Sequence, residues 1–158
     1  MKSKRFLCLL LVLLMVFSLT PSETRAETTV YFTAVNDQLL PDLSDETMPF
    51  WSGGRLYVPS TVITGTDLGL FYSRSRDKST AVVYRQGQYS GPAIVRSDVV
   101  FLPLDLLTQF FSLDYSYTRV TYGYLVRVKS DTVVLSDAKF IDAAAMSMEQ
   151  RYNEYMKT

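Results

Sequence analysis

The chain has 158 residues, 16 basic against 16 acidic and no histidine, with 47% hydrophobic and 13% aromatic residues. Without histidine it lacks the commonest general base and the commonest metal ligand. Its one cysteine, Cys8, lies in the N-terminal apolar run, so thiol chemistry, Cys/His zinc sites and copper held by imidazole or thiolate find no ligands in the rest of the chain.

Lys2, Lys4 and Arg5 precede an unbroken run of fourteen mostly aliphatic residues, Phe6 to Leu19, and a polar stretch ends at Thr24-Arg25-Ala26. This is the layout of a secretory signal peptide over residues 1–26, cleaved after Ala26; the alternative is an uncleaved anchor. The run is shorter than the roughly 20 residues a membrane span needs. Cleavage removes Lys2, Lys4, Arg5 and Arg25 but only Glu23, which takes the balance from 16:16 to 12 basic against 15 acidic residues, a net of −3. The remaining 132 residues make one domain's worth of chain, with no disulfide to form. An exported protein without disulfides suits a bacterial envelope, and no basic patch is present to grip nucleic acid. The expected location is secreted or attached to the cell envelope, with no membrane contact after cleavage.

In chain order, "TTVYFTAV" (28–35) reads as a strand rich in β-formers and "LLPDLSDETM" as a loop. Phe50-Trp51 leads through Ser52-Gly53-Gly54 into Arg55–Val58, a hairpin whose glycines allow positive φ. Pro59 ends that strand and opens one or two helical turns in "STVITGTDLG". "LFYSR" and "TAVVYRQ" then pair through the polar turn Ser75–Ser79. The same order follows a second time. Ala93–Val95 turns at Arg96-Ser97-Asp98 into Val99–Leu102, Pro103 opens the amphipathic "LDLLTQFF", and "LDYSYT" pairs with "YGYLVRV" through Arg119–Thr121. "DTVVLS" reads as a short strand. Residues 137–158 form an amphipathic helix with Asp137 as its N-cap and a stripe of Ile141, Ala144, Ala145, Met148, Tyr152, Tyr155 and Met156.

The two halves superimpose as sequence. At an offset of 43 residues Leu70, Tyr72, Ser73, Arg76 and Val83 meet Leu113, Tyr115, Ser116, Arg119 and Val126, and Pro49 meets Pro92; Pro59 and Pro103 lie 44 apart. Units of about 49–87 and 92–130 are each too small to bury an apolar face alone, which predicts one module made of two. The expected fold is α+β: two tandem hairpin-helix-hairpin units forming a twisted antiparallel sheet around short helices, plus the C-terminal helix.

Gly54-Arg55-Leu56-Tyr57-Val58-Pro59 and Leu68-Gly69-Leu70-Phe71-Tyr72 resemble the copper amine oxidase N-terminal-like, or stalk, domain of exported Gram-positive bacterial proteins. The likeness spans about residues 28–130, within a stalk domain placed at 27–136. The second unit departs from it, with Asp98-Val99-Val100-Phe101-Leu102-Pro103 lacking Gly-Arg and Phe111-Ser112 replacing Leu-Gly. "RQGQYSG" (85–91) is a short join where the family has room for another strand, which leaves the first unit incomplete. The resemblance implies a small α+β stalk without copper or any other cofactor and without catalysis.

Carboxylates offer little chemistry. Asp42, Asp45 and Glu46 lack the regular ligand spacing of a calcium loop and read as a polar loop. Asp98, Asp105 and Asp114, which a glycan hydrolase would need as an acid/base pair, read instead as a turn residue, a first-turn helix acid and a strand-edge residue. Arg74, Arg76, Asp77 and Lys78 crowd one hairpin turn and read as solvated charge. All eleven tyrosines lie beyond residue 26. Tyr115, Tyr117, Tyr122 and Tyr124 fall on two pairing strands, as a stacking platform for sugar rings or a protein partner or as ordinary cross-strand packing. Trp51 reads as an exposed anchor or a core residue, the core being favoured. The expected partner is cell-wall glycan or another surface protein. The terminal helix packs on its own sheet or docks on a separate enzyme, and which is left open.

Overall fold

Among the described residues several tight turns hold residues at positive φ, and these turns lay out the strands. A computed structural model describes residues 28–41, 43–64, 68–74, 80–84 and 87–158. The expected signal segment, Asp42 and the Ser75–Ser79 turn lie outside the described residues. Asn36 (φ 50°) turns β1 (Tyr31–Val35) into β2 (Gln38–Leu39). Gly53 and Gly54 (φ 56° and 76°) turn β3 (Phe50–Ser52) into β4 (Arg55–Pro59). A single 3-10 turn, Ser60–Val62, follows Pro59. β5 (Phe71–Arg74), β6 (Thr80–Tyr84) and β7 (Gln88–Pro92) form a three-stranded antiparallel meander.

Ser97 and Asp98, at φ 46° and 62°, turn β8 (Ile94–Arg96) into β9 (Val99–Pro103). Pro103 starts α1 (Leu104–Phe110), as its fixed φ and missing N–H favour. Ser112 ends the helix at φ 54°, with Leu113 N–H donating to the Thr108 carbonyl at 2.9 Å. This is the left-handed closure usually given to glycine. β10 (Asp114–Val120) and β11 (Gly123–Lys129) form the last hairpin, and α2 (Asp137–Tyr155) closes the chain.

The fold is α+β, but the described strands form three sheets, and not all of their pairings are antiparallel. One has the order β10-β11-β1-β2, a second β3-β4-β9-β8, and the meander is the third. β1 runs parallel to β11, with Tyr31 beside Tyr124 and Val35 beside Val128. The expected purely antiparallel sheet is corrected here, because the first strand inserts beside the last one. β4 and β9 pair antiparallel with Val58 opposite Leu102 and the prolines one step to either side. The join read as too short for a strand holds β7, which pairs with β6 from Thr80↔Pro92 to Tyr84↔Gln88. Half-buried Tyr89 and Gly91 alternate with exposed Gln88, Ser90 and Pro92, but Tyr89 is the one β-former among them, too weak a pattern to reveal a strand.

Strand alternation splits the apolar residues between two cores. The larger joins Leu56 and Val58 of β4, Val100 and Leu102 of β9, Val62 and Ile63 of the 3-10 turn, Leu104 and Leu107 of α1, and Val126 and Val128 of β11. The smaller lies on the opposite face of β1 and β11, where Phe32, Ala34 and Leu125 meet Phe140, Ala144 and Met148 of α2. Phe140 and Met148 are each 3% exposed, and burial of such a side chain contributes about 1.5–3 kcal/mol. The helix therefore spends most of its apolar stripe on its own sheet and leaves Ala145 and Met156 exposed.

Two local expectations change. "DTVVLS" is a loop and not a strand: the Asp37 carboxylate accepts the Val134 and Leu135 N–H groups, both at 2.9 Å, so their hydrogen bonds go to a side chain and not to a ladder. The N-cap of α2 is Ser136, whose hydroxyl accepts from Lys139 N–H, while Asp137 is the first helical residue. No helix among the described residues is long and apolar enough to cross a membrane.

Candidate functional site

Odd-numbered residues of β10 point to the same face as even-numbered residues of β11, and this places tyrosines side by side. Tyr117 stands opposite Val126 and Arg119 opposite Tyr124, so Tyr117 and Tyr124 are diagonal neighbours. Their rings lie 4.8 Å apart and 5° from parallel. Tyr31, brought in by the parallel pairing of β1, stacks 5.8 Å from Tyr124 and 6.3 Å from Tyr117. Trp51, on edge strand β3, meets Tyr117 edge-on at 5.6 Å and 85°. Four aromatic rings thus form one face where two sheets meet. Such offset and edge-to-face contacts add about 0.5–1.5 kcal/mol each beyond the area they bury.

The face is graded in exposure. Tyr31, Tyr117 and Tyr124 are half-buried, and Trp51 is 49% exposed. Burial of Trp51 in the core is thereby corrected: on a three-residue edge strand its neighbour Leu56 fills the core and the indole lies over Tyr117. Burial raises the Tyr31 pKa, and the hydrogen bond and charge of Tyr117 and the charge of Tyr124 raise it further. The Tyr31 phenol therefore stays neutral across the ordinary pH range, as a stacking surface with a polar tip.

Of the four tyrosines expected to form a platform, the structure brings together Tyr117 and Tyr124. Tyr115 shares their face and, like Tyr31 and Tyr117, packs against the larger core. Tyr122 lies elsewhere: it occupies the β10–β11 turn, stacks on Tyr152 of α2 at 4.8 Å, and donates its hydroxyl to Glu149 at 2.9 Å. That hydrogen bond, with burial and the Glu149 charge, raises the Tyr122 pKa. Tyr31 is the member sequence reading missed. Its alternation marks a strand face, but no local signal tells which strand lies next to β1.

A groove of about 390 Å³ opens where the sheet carrying the platform ends, lined by Thr28, Thr29, Arg119, Tyr124, Tyr152 and Tyr155 among others. Gly123 also lines it. Tyr124 N–H donates to the Val30 carbonyl at 2.9 Å, and Gly123 sits at φ 144°. A Cβ there would lie well inside contact distance of the Val30 carbonyl oxygen and 3.0 Å from its carbon.

The other polar constellation holds the fold together. Arg127 is wholly buried, beneath α2. Its guanidinium donates to Asp137 at 2.7 Å and to Asp37 at 2.9 Å, to the Asn36 and Leu135 carbonyls at 2.7 and 2.9 Å, and sits 4.4 Å from the Phe140 ring centre. Lys129 joins Asp137 at 3.2 Å and Asp114 at 3.0 Å. Burial alone would raise the Asp137 pKa, but hydrogen bonds from Lys129, Arg127 and Ser116 outweigh it and hold it below the ordinary value. Asp37 is also lowered, first by the Leu135 N–H and then by the Val134 N–H, with Arg127 adding to both. On Lys129, burial is outweighed by the hydrogen bonds to Asp114 and Asp137, which raise its pKa.

The remaining carboxylates are scattered. Asp98 lies in the β8–β9 turn, Asp105 is tied to Arg55 at 2.5 Å, and Asp114 is tied to Lys129. Asp45 accepts the Tyr155 hydroxyl. The Arg76, Asp77 and Lys78 cluster lies outside the described residues. No protein-family model matches the chain, and no curated protein or solved structure is significantly similar to it.

Proposed function

We propose that the chain is a non-catalytic, exported surface module that contacts cell-wall glycan through the Tyr31–Tyr117–Tyr124–Trp51 face. The observation that carries this reading is Trp51. An indole left 49% exposed over a packed row of tyrosines offers a large flat surface to solvent, and its own burial stabilises the fold little. Sugar rings present flat C–H faces that stack on such rings, and a set of tyrosines already packed together loses little side-chain entropy on binding.

The reading extends to the architecture, as a tandem pair of stalk-type units. Turn geometry supports it: Gly53-Gly54 and Ser97-Asp98, 44 residues apart, both hold positive φ, as do Gly69 and Ser112, 43 apart. The pairing of β4 with β9 about Val58 and Leu102 supports it too, since equivalent strands meeting antiparallel at equivalent residues are related by a local two-fold axis. Two such units bury one shared core.

An NMR titration of the protein with soluble cell-wall glycan fragments tests the contact. Shifts confined to the Trp51 indole N–H and the amides of Tyr31, Tyr117 and Tyr124 are expected, and Trp51→Ala should weaken them without loss of peak dispersion. A dispersed spectrum in which these signals ignore the glycan would sink the reading. A second reading, in which the chain is an accessory subunit docking through α2, is favoured by Met146 and Met156, which remain 83% and 44% exposed on that helix. Shifts confined to residues 146–156 on adding a candidate enzyme would support it.

A further inference from the structure

Arg119 belongs to the aromatic face without taking part in its packing. It is the next residue on that face after Tyr115 and Tyr117 of β10, and it stands directly across from Tyr124 of β11. Its side chain is exposed. Other arginines nearby are committed: Arg55 to Asp105, Arg96 to the Phe50 ring at 4.3 Å, and Arg127 to Asp37 and Asp137. Among the described residues, no acid, carbonyl or ring engages Arg119. It also lines the groove at the sheet end together with Tyr124, Thr28 and Thr29.

We propose that the ligand of this face is an acidic glycan, whose sugar carboxylate is taken by Arg119 while the ring stacks on the tyrosines. This rests on the aromatic face being a glycan platform and adds the charge its ligand must carry. Directly opposed cross-strand residues stand about 5 Å apart at Cβ, so one sugar can lie on the Tyr124 side of the face and still reach the guanidinium. Guanidinium and carboxylate match as a planar, two-bond pair. Thr29 lines the same groove, and its hydroxyl type suits the remaining sugar hydroxyls. Beyond residue 26 the chain carries net −3, so an acidic ligand needs a local cation to be held, and Arg119 supplies it.

The test uses a peptide-free oligosaccharide of alternating N-acetylglucosamine and N-acetylmuramic acid, and the same oligosaccharide with its lactyl carboxylates converted to methyl esters. Both are titrated into wild-type protein and Arg119→Gln at low salt, followed by NMR. The acid form should bind wild type about fivefold more tightly than the ester, the scale of one exposed ion pair. Arg119→Gln should erase that ratio and leave ester binding unchanged. Equal binding of acid and ester by wild type would overturn the acidic-ligand inference while the platform reading stands. A preference for the acid that survives Arg119→Gln would equally overturn Arg119 as its reader. Failure of both forms to move the aromatic signals would remove the platform and this inference together.

Discussion

Arg127→Met tests how α2 is held to the sheet. The substitution keeps the apolar stem of a fully buried side chain and removes its charge. Lost are the ion pairs to Asp37 and Asp137, the bonds to the Asn36 and Leu135 carbonyls, and the contact with Phe140. Breaking a buried ion pair from one side costs about 3–5 kcal/mol. Three features favour the lower end. The Asp37 and Asp137 side chains are 30% and 33% exposed, so water reaches them once the cation is gone. Asp137 keeps Lys129, and Asp37 keeps the Val134 and Leu135 N–H groups. Methionine also refills part of the volume. The expected loss is about 3 kcal/mol, against a total of about 5–15 kcal/mol for a domain. At a urea m-value of about 1.5 kcal/mol/M the midpoint falls by about 2 M. Urea unfolding followed by helix circular dichroism and by Trp51 fluorescence measures it. A midpoint lowered by less than about 0.5 M would refute the reasoning, because the cluster would then be doing no better than apolar packing.

Three further outcomes are expected. Gly123→Ala forces a Cβ against the Val30 carbonyl at a backbone angle only glycine tolerates, and should cost about 2–3 kcal/mol, read as a lowered Tm. Ser112→Gly relieves a non-glycine residue held at φ 54° and should raise stability by about 1 kcal/mol in the same melt. The Asp137 pKa is lowered on folding, so its contribution is present above the unfolded value of about 4 and is lost as pH falls through the folded value; Lys129, raised on folding, keeps its contribution until pH climbs past its ordinary value near 10.5. Stability measured from pH 5 down to pH 2 should therefore decline, and Asp137→Asn should flatten that decline; an unchanged slope would mean Asp137 titrates alike in both states.

Much of the local structure was legible in the amino-acid sequence. Glycine pairs, prolines and period-2 alternation depend on neighbours within a few residues, and they locate the hairpins of β3–β4, β8–β9 and β10–β11, the amphipathic α1 and the long α2. The same alternation put Tyr117 and Tyr124 on one face. Only the tertiary structure decided which strands lie side by side, because hydrogen-bonding partners far apart in the chain leave no local mark. The parallel insertion of β1 beside β11 brings Tyr31 into the aromatic face and the Val30 carbonyl against Gly123. The meeting of two sheets sets Trp51 over Tyr117 and leaves it half exposed. The docking of α2 turns Arg127, a charge set among Leu125, Val126 and Val128, into a buried anchor, and sends Tyr122 to Tyr152 and away from the other tyrosines. Residue type and spacing determine which face a side chain takes; what that face meets is settled by packing across the whole chain.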